Sequence, residues 1–459
     1  MRMNKNKKRS QYILYFDFWA TVRLSIPIIV GQLGIVLMGV VDTAMIGRVG
    51  KEALAAAGVS NAVFFLIAIL GIGLLNILSP MIAEGQARRQ PQTLKALLIG
   101  GFWAATACAL FLGMVMGGVI WQFEHLGQSP EVTALSREYM TILLSSLFPM
   151  YWFLCLRHFT DGMAMPHLSM HATLVGLLLN IFLNYLLIFG HWGLPALGLA
   201  GAAWATWGVR WVMTFILFFF LLRLPTFDFL KQCQVSIQAC RKACMRIITK
   251  GIGTGLQHFF EVATFALAAI MIGWVSDVAL AAHQIALNMA SVTYMISTGI
   301  AAAGAIRVGN ALGKGRWSRV ARAGTAALLA AMFVMAAGGL LFWLFPHFLA
   351  SLYTHEKDVL AVAVELLLIA AFFQLSDGIQ AVSLGILRGL QDVLYPTVAT
   401  LVAYWGVALP VAYYLGIYKQ MGAWGVWIGL LIGLTLAAVF LCARFFLLLE
   451  SREKKANNM

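Results

Sequence analysis

The chain has 459 residues, of which 61% are apolar and only 11% charged, with a formal net charge of +14. A soluble domain of this size needs about a quarter of its residues charged to cover its surface, so a large water-soluble protein is excluded. The apolar residues come in long runs and not in the alternating segments of about ten that a β-barrel requires. The sequence therefore reads as an all-α membrane protein.

The opening MRMNKNKKRS is basic and precedes an apolar stretch, which superficially resembles a signal peptide. That stretch runs past residue 40 with no small-residue cleavage pattern, so it is expected to stay as a first span over 18–46. Further runs cover 53–80, 94–120, 134–157, 167–190 and 196–222. A polar, basic break with Pro225 at 223–246 reads as a cytoplasmic linker. Six more runs follow at 247–274, 279–306, 320–345, 358–387, 394–417 and 422–449. The expected organisation is a basic cytoplasmic N-terminus (1–17), six spans (18–222), the linker, six spans (247–449) and a cytoplasmic tail (450–459).

Charge placement sets the orientation. With the N-terminus inside, 26 of the 32 Lys and Arg residues fall in inside segments or their flanks, as the positive-inside rule predicts. The positive balance then records topology, and nucleic acid is not called for. Affinity for anionic lipid needs no further function. The cysteines, Cys108, Cys155, Cys233, Cys240, Cys244 and Cys442, form no CxxC pair and no disulfide framework.

The two halves echo each other. At an offset of 226, Met45 through Ala56 lies over Met271 through Ala282 with eight of twelve positions identical. A second echo, offset by about 230, pairs Arg157–Pro166 with Arg388–Pro396. Both halves thus carry six spans in the same orientation, a parallel repeat of the kind common in secondary transporters.

An ionisable group inside a span costs several kcal/mol and calls for a reason. Asp42 lies in span 1, Glu261 in span 7 and Asp377 in span 10. One reason is a structural contact with a neighbouring helix. The repeat argues for function instead, because Asp42 corresponds to Ala268, Glu261 to Ile35 and Asp377 to Ser146 or Leu147. Acids that merely held the fold together would recur in the twin half. Asn180 and Asn184 form an i,i+4 pair on span 5, and Gln284 and Asn288 do the same on span 8. These amides read equally as interhelical glue or as cavity lining. Aromatic and Met side chains suit lipophilic cations but also line lipid. A nucleotide loop, an HExxH motif and any nucleophile constellation are absent, so an enzyme is not expected and no cofactor is called for. Gly251-Ile252-Gly253-Thr254-Gly255 opens a span and follows no strand. His167 and His171 have i,i+4 spacing without a nearby acid or Cys in the motif.

Taken together, RLSIPIIVGQ with GVVDTAMIG, LLNIFLNYLLIFG, FFEVATFALAA, AAHQIALN, RVGNALGKG and FQLSDGIQAVSLGILRGLQD resemble the multidrug and toxic compound extrusion (MATE) transporters, within them the NorM-type bacterial branch. The likeness covers roughly residues 11–450. It implies two pseudo-symmetric six-helix lobes around a central cavity, working by alternating access. It also implies export of cationic or amphipathic drugs and toxic compounds in exchange for protons or sodium ions, from a multi-pass protein of the bacterial inner membrane. By this resemblance Asp42, Asn180 and Asn184 match the N-lobe polar site, and Glu261 and Asp377 the C-lobe carboxylates for cation coupling, where a sodium ion would sit. Pro27 matches the proline at which span 1 bends. Phe373 departs from the Tyr that close relatives often carry four residues before Asp377. Partners are small organic cations and the bilayer, and a monomer is expected. The alternative in the wider superfamily is a flippase for a lipid-linked oligosaccharide, whose cavity should be basic where the mid-span charges here are mostly acidic.

Overall fold

A computed structural model of the chain describes residues 2–457, with side chains described over 14–125 and 127–452. The described residues are helices joined by short turns, with no strand. Among the described residues eleven helices are long and apolar enough to cross a membrane, and Pro130–Ser145 with Leu147–Gly162 forms a twelfth, bent span. The others are Leu14–Ile46, Lys51–Ala87, Pro91–Trp121, Pro166–Phe189, Gly198–Arg223, Ile237–Gly273, Asp277–Gly313, Trp317–Leu344, Lys357–Gly389, Leu394–Tyr418 and Gly422–Arg452. They are numbered here as spans 1 to 12 in chain order.

Local chemistry sets the ends. Spans 3, 4 and 5 begin with Pro91, Pro130 and Pro166 at their first helical position, where the missing N–H costs nothing. Span 5 ends on Gly190 at φ 73°, a left-handed C-cap. Span 8 is capped by the Ser276 side chain, which accepts from the Ala279 N–H at 3.1 Å.

Span 4 bends by 42°. Pro149 leaves the Ser145 carbonyl without its helical donor, and the hydroxyls of Ser145 and Ser146 back-bond to Ile142 and Leu143 at 2.7 and 2.6 Å. Proline next to a pair of serines is a sufficient cause of such a kink. Span 11 carries two π-helical stretches, Val402–Ala408 and Tyr414–Tyr418, on either side of Pro410. Pro410 offers no N–H, and wider turns accommodate its ring.

The chain divides into two compact units, residues 30–255 and residues 1–29 with 256–459. These limits differ from the hydropathy limits at 222/223 and 246/247. Apolar runs mark where helices lie, whereas side-chain packing decides which neighbours they join. Span 1 changes unit two residues after Pro27, and span 7 changes unit at Gly255. The segment 223–246, read as linker, holds a turn over Pro225–Phe227, a short helix Phe229–Gln232 and the start of span 7. The segment 1–17, read as a basic cytoplasmic N-terminus, is helical from Arg2 and continuous with span 1.

The start of span 1 is held in the second unit by charge. Asp17 accepts from Arg307 of span 8 and faces Arg322 of span 9 at 3.4 Å, while Arg307 also donates to Thr21 at 2.5 Å. Phe18 and Val22 pack beneath on a core that includes Ile300, Val308, Val320 and Phe445. A second core in this unit centres on Phe373, Tyr404 and Trp427. In the 30–255 unit the glycines of Gly251–Gly255 have a packing role. A Cβ on Gly251 or Gly255 would lie 2.4 or 2.5 Å from the Leu74 or Leu70 carbonyl, so only glycine lets spans 2 and 7 approach this closely.

Candidate functional site

Each unit holds its own carboxylate centre. In the 30–255 unit Asp42 of span 1 meets the amide pair of span 5. Asn180 and Asn184 stand one turn apart, so both Nδ2 groups reach one carboxylate oxygen, donating to Asp42 Oδ1 at 2.9 and 2.5 Å. Thr206 of span 6 donates to the other oxygen at 3.3 Å. Asn180 and Asn184 are fully buried. Gly201 makes the convergence of spans 5 and 6 possible, since a Cβ there would sit 2.4 Å from the Leu187 carbonyl.

Arg210 lies one turn beyond Thr206 on the same face. It donates to Ser146 at 2.5 Å, lies over the Phe64 ring at 5.0 Å and interacts electrostatically with Asp42 without a direct ion pair. Ser146 is one of the two repeat positions that correspond to Asp377. Arg157 is buried in the second half of span 4. It faces Asp161 at 3.7 Å, and Asp161 accepts from Ser169 at 2.8 Å.

In the other unit Glu261 and Asp377 are both buried, at 6% and 4% exposure. Tyr294 of span 8 donates to Glu261 Oε1 at 3.2 Å. The second oxygen, Oε2, is buried without a hydrogen bond and faces His258 Nδ1 at 3.9 Å. His258 Nε2 in turn meets Arg388 Nη2 at 3.2 Å. Asp377 makes no hydrogen bond among the described residues, and it interacts electrostatically with Glu261, Tyr294 and Tyr404. Further polar atoms of this unit are buried without partners on spans 7, 8, 10 and 11, among them Gln257 Nε2, Ser297 Oγ, both ends of Gln380 and the Tyr404 hydroxyl.

The remaining sequence candidates separate. Gln284 and Asn288 are exposed, and Asn288 donates to the backbone carbonyl of Gln284 at 2.9 Å without reaching either carboxylate. One residue earlier, His283 is fully buried and accepts from the Trp427 indole at 3.1 Å. Phe373 is buried between Phe265 and Trp427, with ring centroids 6.1 and 5.8 Å away. Pro27 sits inside an uninterrupted helix. The His167 and His171 rings meet edge to face, and no cluster of three or more His, Cys, Asp or Glu able to hold a metal occurs among the described residues. Thr206, Tyr294, His258 and Tyr404 escaped sequence reasoning. A single threonine, tyrosine or histidine in an apolar run carries no periodic signal. Its one-turn spacing from Arg210 was the only hint for Thr206, and its position three residues before Glu261 the only hint for His258.

Comparison with known proteins agrees with this architecture. The MatE family model matches residues 27–186 and 254–414, one match in each half. A protein named "Probable multidrug resistance protein NorM" from Rhizobium meliloti is 36% identical over 445 residues, covering 94% of each chain. "Multidrug resistance protein MdtK" from Yersinia pestis is 32% identical over 428 residues, covering 92% of this chain and 93% of its own. The crystal structure of the eukaryotic MATE transporter AtDTX14 superposes with a TM-score of 0.86 at 19% identity, over 95% of this chain and 96% of that one. With the family model spanning well over half its length and relatives above 30% identity along nearly all of it, the chain belongs to the MatE family, the multidrug and toxic compound extrusion transporters.

Proposed function

We propose that the protein exports cationic or amphipathic organic compounds across the bacterial inner membrane in exchange for protons or sodium ions, by alternating access. The observation that carries this reading is electrostatic. Asp42, Glu261 and Asp377 lie within spans, and none forms an ion pair with Lys or Arg among the described residues. A structural carboxylate at such depth is normally neutralised by a fixed partner. The direct partners are neutral amides, hydroxyls and one imidazole, while Arg210 and Arg388 act on Asp42 and Glu261 only through space, so each carboxylate stays open to a mobile cation. Asp42, with its three donors, suits an organic cation or a proton. The Glu261–Asp377 pair suits the coupling ion, because two buried acids that feel each other's charge are stable together only when one is protonated or a cation is bound.

The names carried by the relatives, multidrug resistance proteins NorM and MdtK, support drug efflux as the physiological outcome. The basic residues in alternate loops support cytoplasmic termini, and a transporter that does no covalent chemistry is the simplest role for a chain without a nucleophile constellation. The protein is taken to act as a monomer. The test is efflux of a fluorescent cation such as ethidium from proteoliposomes, driven in separate experiments by a pH gradient and by a sodium gradient. Transport under one gradient identifies the coupling ion, and no transport under either refutes the proposal.

A further inference from the structure

Span 9, span 12 and the turn at Leu390–Asp392 after span 10 line an open cavity of about 280 Å³ in the 1–29/256–459 unit. Its polar lining is Trp317, Gln391, Asp392, Arg444 and Arg452. The two arginines differ in their engagement. Arg444 donates through Nε to Asp392 at 2.8 Å and lies over the Tyr395 ring at 4.8 Å. Arg452 is held only by the Trp317 ring, 5.2 Å below its guanidinium, and has no acidic partner among the described residues. Among the described residues the lining thus sets two guanidiniums against one carboxylate, with donors to spare. Stacking on Trp317 leaves the edge donors of Arg452 free, because the aromatic ring takes its face.

The surroundings identify the guest. The neighbouring positions Leu394 and Leu447 are 75% and 60% exposed, and Phe446 is also exposed. All three belong to spans that the composition places in the bilayer. A cavity lined by two guanidiniums and by Leu390 and Leu448, with exposed apolar side chains next to it in sequence, matches a phosphodiester carrying acyl chains. We propose that this cavity binds the headgroup of an anionic phospholipid such as phosphatidylglycerol, with its phosphate between Arg452 and Arg444 and its chains along Leu394 and Leu447. Basic pockets at the membrane edge between spans commonly hold such headgroups. Asp392 opposes the phosphate and limits its affinity.

Native mass spectrometry of the full-length protein, titrated with phosphatidylglycerol, tests the site. R452Q removes the unpaired guanidinium from an exposed position and is expected to weaken binding about tenfold, the loss of one charge-assisted contact. D392N is expected to act oppositely, tightening binding severalfold by removing the like charge and releasing Arg444. Opposite signs cannot come from general destabilisation. Unchanged affinity in both variants overturns the assignment, as does equal binding of zwitterionic phosphatidylcholine to the wild type. Competition by free glycerol phosphate at the concentrations that suffice for the lipid would make this a soluble-phosphate site and overturn the lipid proposal.

Discussion

Replacing Asp42 by Asn removes one negative charge and alters little else in shape. Both span 5 amides donate to Oδ1, so an Asn at this position keeps a carbonyl oxygen for them. Its new amide faces Thr206, whose hydroxyl turns from donor to acceptor. Hydrogen bonds to a charged group contribute about 1.5–3 kcal/mol and neutral ones about 0.5–1.5 kcal/mol. Each of the three contacts thus loses about 1 kcal/mol, and the tie between spans 1, 5 and 6 loosens by about 3 kcal/mol. A cationic guest loses more directly. Removing one member of a buried charge pair costs at least about 2 kcal/mol, which is about thirtyfold in affinity at 1.4 kcal/mol per decade. D42N should therefore fold, insert and bind a fluorescent cation at least about thirtyfold more weakly, measured by fluorescence anisotropy on purified protein. Its efflux should fall in parallel. Affinity within about threefold of wild type in a well-folded D42N protein would refute the view that this carboxylate faces the transported cation.

The C-terminal carboxylates make a different prediction: E261Q and D377N should each abolish gradient-driven efflux from proteoliposomes while leaving expression and dye binding at Asp42 largely intact. Coupled transport at wild-type rate in both variants would place the coupling ion elsewhere. Gly201→Ala should test the packing that assembles the Asp42 site. A Cβ 2.4 Å from the Leu187 carbonyl forces spans 5 and 6 apart, at a cost of about 1–3 kcal/mol. The expected result is a lower melting temperature together with weaker dye binding, and an unchanged melting temperature would contradict the close approach.

Two kinds of information about this protein were legible at different levels. The twelve spans, the parallel repeat and the three interior acids follow from the chain alone, because a bilayer punishes polar groups so heavily that every exception stands out. Asn180 and Asn184 were visible for the same reason, their one-turn spacing on an apolar helix. What hydropathy cannot report is which helices touch. Thr206 reaches Asp42 from another span only because Gly201 lets two backbones meet, and Tyr294 reaches Glu261 from the next helix along. Gln284 and Asn288 show the converse, with the same spacing as the Asn180 pair but exposed, the Asn288 side chain bonding back to the Gln284 carbonyl of its own helix. The burial of Arg157 against Asp161, the unit boundaries inside spans 1 and 7 and the π-helical turns of span 11 were likewise decided by packing. Sequence alone determined what each helix must hide from lipid. Only the tertiary structure decided what each hidden group meets, because contacts between spans depend on side-chain volume and backbone approach at positions far apart in the chain.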